Sequence, residues 1–342
     1  MNLVGERAGR SNLIMGRHDF QFTRLRFRGG SIAAMLCLIT LAWPGRALHA
    51  EGESVLNIVY KSTPAGDLVL DLYYPEKKDP SGKNPLVVYT HGGGWATGSR
   101  NKGTGRGNIA QTVQGLVNNG FCAALVQYRL CFKDGDVRIR DCVTDSKDAV
   151  RFLAKNSDKY AIDPNRVFTF GDSAGGQIAQ MLLLTPPESL PGDKELAGVP
   201  YKMIAGVSWY GPCNFEKMEL FSVDPKKPAR DRFGARICPP STRPEDKLPL
   251  YQEVSPVNYL AKSSPPLLMV QGDSDSTIPV HHAYHMKEKA DAIGAPVEIM
   301  IIENAGHNWT EADPSKPISP STAEIVEKSV NFLTGHLGAS GR

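Results

Sequence analysis

The sequence predicts an α/β protein with a doubly wound, mostly parallel sheet and a short cap-like insertion. Segments typical of strands alternate with segments typical of helices from Val55 to Leu333, which favours parallel strands joined by helical crossovers. Several strand segments are short, continuous apolar runs, as expected of strands covered on both faces. A length of 342 residues suits one large α/β domain better than two, and we expect that domain to occupy residues 51–342.

The predicted elements follow in a regular order. The first two strands are expected to form an antiparallel pair, and helices separate most of the later strands. The predicted strands are Leu56–Tyr60, Leu68–Tyr74, Leu86–Thr90, Ala123–Gln127, Arg166–Phe170, Ile204–Trp209, Leu267–Gln271 and Val297–Ile302. The predicted helices are Ile109–Val117, Val143–Leu153, Gln177–Leu184, His282–Ile293 and Ala323–Leu333.

Residues 213–255 interrupt this alternation. They are rich in proline and in charged residues, and their apolar residues show no clean period. An irregular segment of about 40 residues inside a compact domain is typical of a lid or cap over a site. The alternative is a partly mobile excursion on the surface, and the pattern leaves both interpretations open.

Residues 1–50 have the layout of a secretory signal peptide. Arginines between residues 7 and 28 precede an apolar run, Ile32–Trp43, and small residues follow at Ala47 and Ala50. The apolar run has 12 residues, fewer than the ~20 that a helix needs to cross a bilayer. We therefore expect a secreted or periplasmic protein without stable membrane insertion after cleavage. A retained membrane anchor is the alternative. Because the basic segment is unusually long, Met15 is a second candidate for the first residue.

The net charge of +3 depends on this leader. Residues 1–50 hold seven of the 39 basic and two of the 36 acidic residues, which leaves 32 against 34 and a net charge of −2 for the remainder. A chain this close to neutrality gives no reason to expect nucleic acid as a partner.

Five cysteines follow residue 50, and none belongs to a C-x-x-C pair, which argues against a zinc or thioredoxin-type site. Cys131 with Cys142, and Cys213 with Cys238, each flank a loop-like segment, so an oxidising compartment would permit two bridges. Cys122 lies in an apolar strand, where a buried thiol behaves as a small hydrophobic residue. The pattern leaves the disulfide connectivity open.

The segment Gly171-Asp172-Ser173-Ala174-Gly175-Gly176 stands where a predicted strand meets a predicted helix. A serine on such a sharp turn is exposed as a nucleophile, and small residues on both sides of it prevent a clash between strand and helix. The helix that follows directs its first N–H groups and the positive end of its dipole at the serine. The motif therefore predicts Ser173 as the nucleophile; the alternative is a glycine-rich turn without chemistry.

The segment His91-Gly92-Gly93-Gly94-Trp95 directly follows the third predicted strand. Successive glycines let the backbone approach a substrate closely and turn several N–H groups to one point. Acyl transfer builds negative charge on a carbonyl oxygen, and fixed donors that face this oxygen stabilise the charge. We assign these oxyanion-hole donors to the N–H groups of Gly93, Gly94 and Ala174. His91 is expected to hydrogen-bond the loop rather than to act as a base.

These two motifs together resemble the carboxylesterase and lipase families of the α/β-hydrolase fold. HGGGW followed by GDSAGG is similar above all to hormone-sensitive-lipase-like esterases and to acetyl- and feruloyl-esterase-like enzymes. Tyr128-Arg129-Leu130 and Asp163-Pro164-Asn165-Arg166 also resemble segments that precede the serine motif in such enzymes, and the likeness extends over residues 55–335. The resemblance implies ester hydrolysis through a serine, a histidine and an acid, without a cofactor.

The resemblance also implies where the acid and the base stand, because the chain order in this fold is serine, acid, histidine. Asp273 and Asp275 both follow the strand Leu267–Gln271. The family pattern, a glycine, an aspartate three residues later and then an aliphatic–proline pair, selects Asp275, whereas Asp273 is expected to hydrogen-bond its own turn. This family places its general base in a loop after the last strand, beside a glycine, which selects His307.

The remaining histidines and aromatic residues have other interpretations. His281, His282 and His285 are expected to form a solvated helix start, since no cysteine or H-E-x-x-H pattern completes a metal site. Aromatic residues near the motifs are candidates either for a substrate pocket or for core packing: Trp95, Tyr128, Trp209, Tyr210 and Trp309. Trp95 and Trp309 flank the predicted catalytic motifs and are the preferred substrate-binding residues.

The predicted function is therefore a serine esterase that hydrolyses short-chain carboxylic esters of a small molecule or a carbohydrate. The predicted export and the short cap favour acetyl or feruloyl groups. The alternatives are a prolyl-oligopeptidase-like peptidase, a formamidase-type amide hydrolase and a non-catalytic binding protein with the same fold. No metal or cofactor is expected, and the pattern does not determine the oligomeric state.

Overall fold

The computed structural model describes residues 53–105, 107–132, 135–224, 226 and 228–338. The predicted signal peptide lies outside the described residues. The described strands are β1 (Ser54–Thr63), β2 (Gly66–Tyr73), β3 (Asn84–Thr90), β4 (Cys122–Val126), β5 (Ile162–Asp172), β6 (Met203–Trp209), β7 (Leu267–Gly272) and β8 (Val297–Ile302). The described α-helices are α1 (Asn108–Asn118), α2 (Ile139–Lys155), α3 (Ala174–Leu184), α4 (Gly234–Ile237), α5 (Lys247–Glu253), α6 (His281–Ile293) and α7 (Thr322–Thr334). None of the helices in these ranges has the length and apolar character that a bilayer-spanning segment needs.

All of these strands belong to one sheet, in the order β1-β2-β4-β3-β5-β6-β7-β8. β2 pairs antiparallel with both β1 and β4, and every other pairing is parallel. The strand order therefore proceeds outward in two directions from β3, as in doubly wound folds. The prediction of a doubly wound, mostly parallel sheet opened by an antiparallel pair is confirmed.

Helices cover both faces of the sheet, which explains why the central strands are apolar throughout. Successive residues of a strand point to opposite faces, and every residue of β3 and of β4 is buried. Val87 and Tyr89 belong to the core under α1 and α7. Leu86 and Val88 belong to the core on the other face, which α2 and α3 cover, and α6 packs against β7 and β8.

The insertion, residues 213–255, leaves the sheet after β6 and packs on the loop that follows β3. Phe215, Phe221 and Phe233 are buried and pack on one another, and the rings of Phe215 and Phe233 contact the indole of Trp95 edge-on. A second attachment is the hydrogen bond from Nε2 of Gln177 in α3 to the carbonyl of Val254 (2.9 Å). Apolar residues without a sequence period thus form a cluster, because the chain reverses direction between them.

The described cysteines are all buried free thiols. The sulfurs of Cys131 and Cys142 are 3.6 Å apart, too far for the bond of about 2.05 Å in a disulfide. The Cys213 thiol donates to the carbonyl of His282 (3.2 Å), and Cys238 lies in the insertion next to Tyr251. Neither of the two bridges that the sequence would permit is formed.

Candidate active site

Ser173 lies on the turn between β5 and α3 with φ 53° and ψ −117°. This conformation is strained for a residue with a side chain, and the hydrogen bond from its N–H to the carbonyl of Trp209 (2.8 Å) helps to hold it. A Cβ on Gly171 would stand 2.2 Å from the carbonyl oxygen of Gly175, and one on Gly175 would stand 2.0 Å from that of Thr90. The turn therefore requires glycine at both positions, which keeps the Ser173 side chain at the open end of the sheet.

The structure brings three of the predicted site residues into one hydrogen-bonded line. Nε2 of His307 is 3.0 Å from Oγ of Ser173, and Nδ1 of the same ring is 2.7 Å from Oδ2 of Asp275. The Asp275 side chain is fully buried, whereas that of His307 is 16% exposed. An imidazole held in this way can accept the serine proton at Nε2 while the carboxylate stabilises the charge that forms on the ring.

The loop after β7 explains why Asp275 rather than Asp273 faces the histidine. Oδ1 of Asp275 accepts the N–H groups of Thr277 (2.7 Å) and Ile278 (2.9 Å). Its Oδ2 accepts Nε2 of Gln271 (3.1 Å) in addition to the His307 ring. Asp273 is exposed and accepts the hydroxyl of Ser274 (2.8 Å), so it bonds its own turn.

The glycine loop after β3 presents free backbone donors. Gly93 and Gly94 have φ values of 127° and 59°, which turn the peptide planes away from the strand direction. In the part of the chain that the structure describes, the N–H groups of Gly93, Gly94 and Ala174 donate no hydrogen bond. Ala174 is also the first residue of α3, where the helix has unpaired N–H groups and positive potential.

Asp172, the residue before the serine, holds the glycine loop through hydrogen bonds. Its Oδ1 accepts the N–H of Gly92 (2.8 Å) and the hydroxyl of Tyr89 (2.9 Å), and its Oδ2 lies 3.3 Å from Nζ of Lys102. The sequence interpretation assigned no role to Asp172. Its signal was its place inside the serine motif, where a carboxylate at the end of an apolar strand needs buried partners.

His91 supports the same loop in its neutral form. Its Nδ1 is 2.9 Å from the carbonyl of Gly92, its ring stacks on that of Tyr128 with centroids 4.3 Å apart, and the Tyr128 hydroxyl donates to the His91 carbonyl. Burial lowers the pKa of His91 to about 4, so the ring is uncharged near neutrality. His91 therefore hydrogen-bonds the loop, as the sequence led us to expect.

The two tryptophans predicted to bind substrate have little free surface. Trp95 is 1% exposed and donates from its indole nitrogen to Oε1 of Gln177 (3.1 Å). Trp309 is 6% exposed and packs against the rings of Tyr210 and Trp209. Both therefore support the site through packing, Trp95 beneath the insertion and Trp309 in the same loop as His307.

The other aromatic candidates also lie in packed positions. Tyr128 and Trp209 are almost completely buried, and Trp209 donates its indole N–H to Oγ of Ser329 (2.9 Å). Tyr210 packs against the ring of His307 with centroids 4.7 Å apart, so it restricts the position of that imidazole. Core packing is the interpretation that fits Tyr128 and Trp209.

The histidines at the start of α6 are not a solvated group, and this part of the sequence interpretation was wrong. His281 is exposed, but His282 is completely buried and His285 is 6% exposed. Nδ1 of His282 accepts the N–H of Cys213 (3.2 Å), and its ring contacts that of Phe221. The insertion covers this face of the helix, which the sequence period of α6 did not reveal. Among the described residues, no group of histidine, cysteine or acidic side chains is arranged to hold a metal ion.

Comparison with known proteins identifies relatives that are named as ester hydrolases. The sequence model of the BD-FAE family matches residues 70–290. The chain is 26% identical to the isoprenylcysteine alpha-carbonyl methylesterase ICME of Arabidopsis thaliana, and the match covers 96% of this chain and 75% of that protein. It is also 26% identical to the probable carboxylic ester hydrolase LipM of Mycobacterium tuberculosis, over 63% of this chain and 46% of that protein.

Solved structures show the same fold. Esterase 2 of Thermogutta terrifontis, phosphonylated by sarin, superposes with a TM-score of 0.65 over 88% of this chain and 98% of that chain, at 22% identity. The same esterase with bound butyrate gives a TM-score of 0.65 over 83% of this chain and 94% of that chain, also at 22% identity.

Proposed function

Since this chain belongs to the BD-FAE family and is a carboxylic ester hydrolase of the α/β-hydrolase fold, we propose that it cleaves its ester through Ser173. In this proposal His307 is the general base and Asp275 orients it. The observation that carries the proposal is the hydrogen-bonded line from Ser173 through His307 to Asp275. It ends beside backbone donors that are free in the described structure.

The proposed reaction has two acyl-transfer steps. Oγ of Ser173 attacks the ester carbonyl while its proton passes to Nε2 of His307, and the same proton then passes to the departing alcohol. Water then gives a proton to Nε2 of His307 as its oxygen attacks the acyl-enzyme. The bond between the acyl carbon and Oγ of Ser173 breaks, Oγ recovers the proton from His307, and the acid is released. The negative charge in each step lies on the carbonyl oxygen, and in this proposal the N–H groups of Gly93, Gly94 and Ala174 stabilise it.

For the substrate, we propose a short acyl group such as acetyl, or a feruloyl group, on a small alcohol or a carbohydrate. The insertion supports a short acyl group, because Phe215, Phe221 and Phe233 pack on one another and two of them on Trp95. Phe215 and Phe233 are therefore not free to line an extended apolar trough, and the cavity that Phe221 borders is also lined by the charged side chains of Arg230 and Arg232. We also propose, from the layout of residues 1–50, that the enzyme is exported. N-terminal sequencing of protein recovered outside the cytoplasm tests this, and an intact N-terminus there would contradict cleavage.

Replacing the nucleophile tests the proposed function. Ser173→Ala is expected to fold normally and to lose ester hydrolysis by about three orders of magnitude or more, because only binding and the oxyanion donors remain. A fluorophosphonate probe should label the wild type but not Ser173→Ala. The control is Ser263→Ala, which the probe should also label, because Ser263 is an exposed serine just before β7. Labelling that persists in Ser173→Ala would place the nucleophile elsewhere, and a wild type without turnover or labelling would favour a non-catalytic binding protein.

A further inference from the structure

One arginine of the insertion lies directly over the glycine loop. Arg236 belongs to α4, and a Cβ added to Gly94 would stand 3.2 Å from its Nη1. Apart from the chain neighbours of Gly94, no other described atom lies within 4 Å of that point. On the side of the loop where a side chain at Gly94 would project, the guanidinium is therefore the nearest described group.

The helix that carries Arg236 is fixed in place. Oδ1 of Asp231 accepts the N–H groups of Phe233 (3.2 Å) and Gly234 (2.7 Å) at its start, and the hydroxyl of Tyr251 donates to Oδ2 of the same carboxylate. Phe233 is buried against Trp95, and Ile237 is buried at the other end of the helix. These contacts hold the Arg236 backbone at a constant distance from the loop.

The charge of Arg236 has no partner within the described ranges. Its side chain is half-buried, yet it makes neither a hydrogen bond nor an ion pair with any residue that the structure describes. Asp231, the acid five residues earlier, is already occupied by its two N–H groups and by Tyr251. A guanidinium that loses part of its hydration without gaining an acceptor is costly to keep unless a ligand supplies one.

A second arginine of the insertion reinforces the positive potential at the other catalytic loop. Nη1 of Arg232 donates to the carbonyl of Thr277 (2.7 Å), two residues after Asp275. Because this acceptor is a neutral carbonyl, the positive charge of Arg232 is not compensated by it. The insertion therefore places one cation beside the Gly94 loop and one beside the Asp275 loop.

We propose that Arg236 binds an anionic group of the substrate, so that the preferred esters carry a carboxylate within a few bonds of the scissile carbonyl. This proposal rests on the proposed esterase function and names its substrate class. A guanidinium recognises a carboxylate through paired charge-assisted hydrogen bonds. The carboxylate belongs either to the acyl group, as in a dicarboxylic acid half-ester, or to the alcohol, as in an acylated hydroxy acid or acidic sugar.

Two pairs of esters distinguish these sources. Monoethyl succinate against diethyl succinate places the charge on the acyl side, and 3-acetoxybenzoate against its methyl ester places it on the alcohol side. We expect the wild type to favour the anionic member of at least one pair in kcat/KM by about 10- to 100-fold, the range of a charge-assisted hydrogen bond. The pair that shows the preference identifies the side that carries the carboxylate.

Variants of the insertion assign the preference to the residue. In Arg236→Met the anionic-to-neutral ratio of kcat/KM should fall by about 10- to 100-fold, and Arg236→Lys should retain part of it, since charge remains but the planar fork is lost. The control is Arg243→Met, because Arg243 is 69% exposed and pairs with Asp246 on the outside of the insertion. It should leave the ratio unchanged.

The outcomes separate this proposal from the proposed function. Equal kcat/KM for both members of both pairs in the wild type, or a ratio that Arg236→Met leaves unchanged, would overturn the anionic-substrate proposal while ester hydrolysis stood. Absence of hydrolysis of all four esters and of fluorophosphonate labelling would instead overturn the proposed function. A preference that weakens as salt is added supports the charge interaction, because exposed ion pairs are screened.

Discussion

The Asp275 carboxylate has a complete set of hydrogen-bond donors, and the set depends on its charge. Two backbone N–H groups point at Oδ1, while a side-chain amide and the His307 ring point at Oδ2. Charge-assisted bonds of this kind are about twice as strong as bonds between neutral groups. The residue is therefore held in one orientation, and so is the imidazole that it contacts.

At the residue scale, replacing Asp275 and replacing Asp273 should have very different effects on kcat. Asp275→Asn is expected to reduce kcat by about three to four orders of magnitude, because an amide cannot accept all four bonds and would favour the wrong tautomer of His307. Asp273→Asn, the matched control on the exposed side of the turn, should change kcat by less than about threefold. Steady-state kinetics on both variants checks this, with circular dichroism as the test of folding. Similar losses in two folded variants would leave the acid unassigned.

At the scale of elements, the insertion contributes a packed aromatic cluster next to the catalytic loops. Its aromatic cluster joins the glycine loop through Trp95 and joins α6 through the contact between Phe221 and His282. A lipase gains about 0.8 kcal/mol for each methylene of the acyl chain that it buries, and this gain requires an apolar trough. The cluster is closed by its own packing, so such a trough is not expected here.

Acyl-chain preference follows from this packing. We expect kcat/KM on p-nitrophenyl esters to be highest between acetate and butyrate and to fall steeply beyond octanoate, since the described aromatic cluster of the insertion offers longer chains no extended apolar trough. The measurement is a series from acetate to palmitate, with Ser173→Ala as the control for spontaneous hydrolysis. If palmitate or triolein proved the best substrate, the enzyme would be a lipase with its acyl site built elsewhere.

The packing of α6 under the insertion has a consequence for acid stability. Burial lowers the pKa of His282 to about 3, whereas in the unfolded chain it is near 6.5. Between these values the unfolded chain binds a proton that the folded protein does not, so stability is complete above about pH 6.5 and falls as the pH decreases. Each pH unit of this window corresponds to about 1.4 kcal/mol for a single group.

A pair of variants isolates this contribution. His282→Asn keeps an acceptor for the Cys213 N–H but removes the titrating ring, so its free energy of unfolding should fall less between pH 7 and pH 4 than that of the wild type. His281→Asn, next to it on the exposed side of α6, should behave like the wild type. Urea denaturation at several pH values provides the comparison. Parallel curves for all three proteins would show that His282 does not carry the acid sensitivity.

At the scale of the whole molecule, the sheet assembles the site. The loops after β3, β5, β7 and β8 carry the glycine segment, Ser173, Asp275 and His307 in turn. Because these strands are parallel, their carboxyl ends meet at one edge, where doubly wound sheets bind ligands. The match of the BD-FAE family to residues 70–290 spans β3, β5 and β7 and the whole insertion, and it ends before the loop of His307.

The proposed mechanism uses only groups of the chain itself, which can be tested on the intact enzyme. In that proposal the oxyanion donors are backbone N–H groups and the proton carrier is an imidazole. EDTA is therefore expected to leave kcat and KM unchanged. Loss of activity in EDTA that added zinc restores would contradict the mechanism and return attention to the histidines of α6.

Sequence alone determined the features that depend on local pattern. The alternation of apolar runs predicted the strands and their parallel sheet, because a strand covered on both faces must be apolar at every position. The glycine segment and the serine motif were recognised because each imposes a backbone geometry that few residues tolerate, and the family resemblance that they carry is confirmed. These constraints act over a few consecutive residues, so a short stretch of sequence is enough to recognise them.

Only the tertiary structure decided the features that join distant segments. His307 meets a serine 134 positions earlier, Asp172 holds a glycine 80 positions earlier, and the insertion buries His282. It also directs Arg236 at Gly94, although nothing in its own sequence marks that arginine among its neighbours. Such contacts depend on the order of strands in the sheet and on where an irregular segment folds back. The spacing of residues along the chain does not predict these contacts, because their free energy comes from burial and charge between residues that are adjacent only in space.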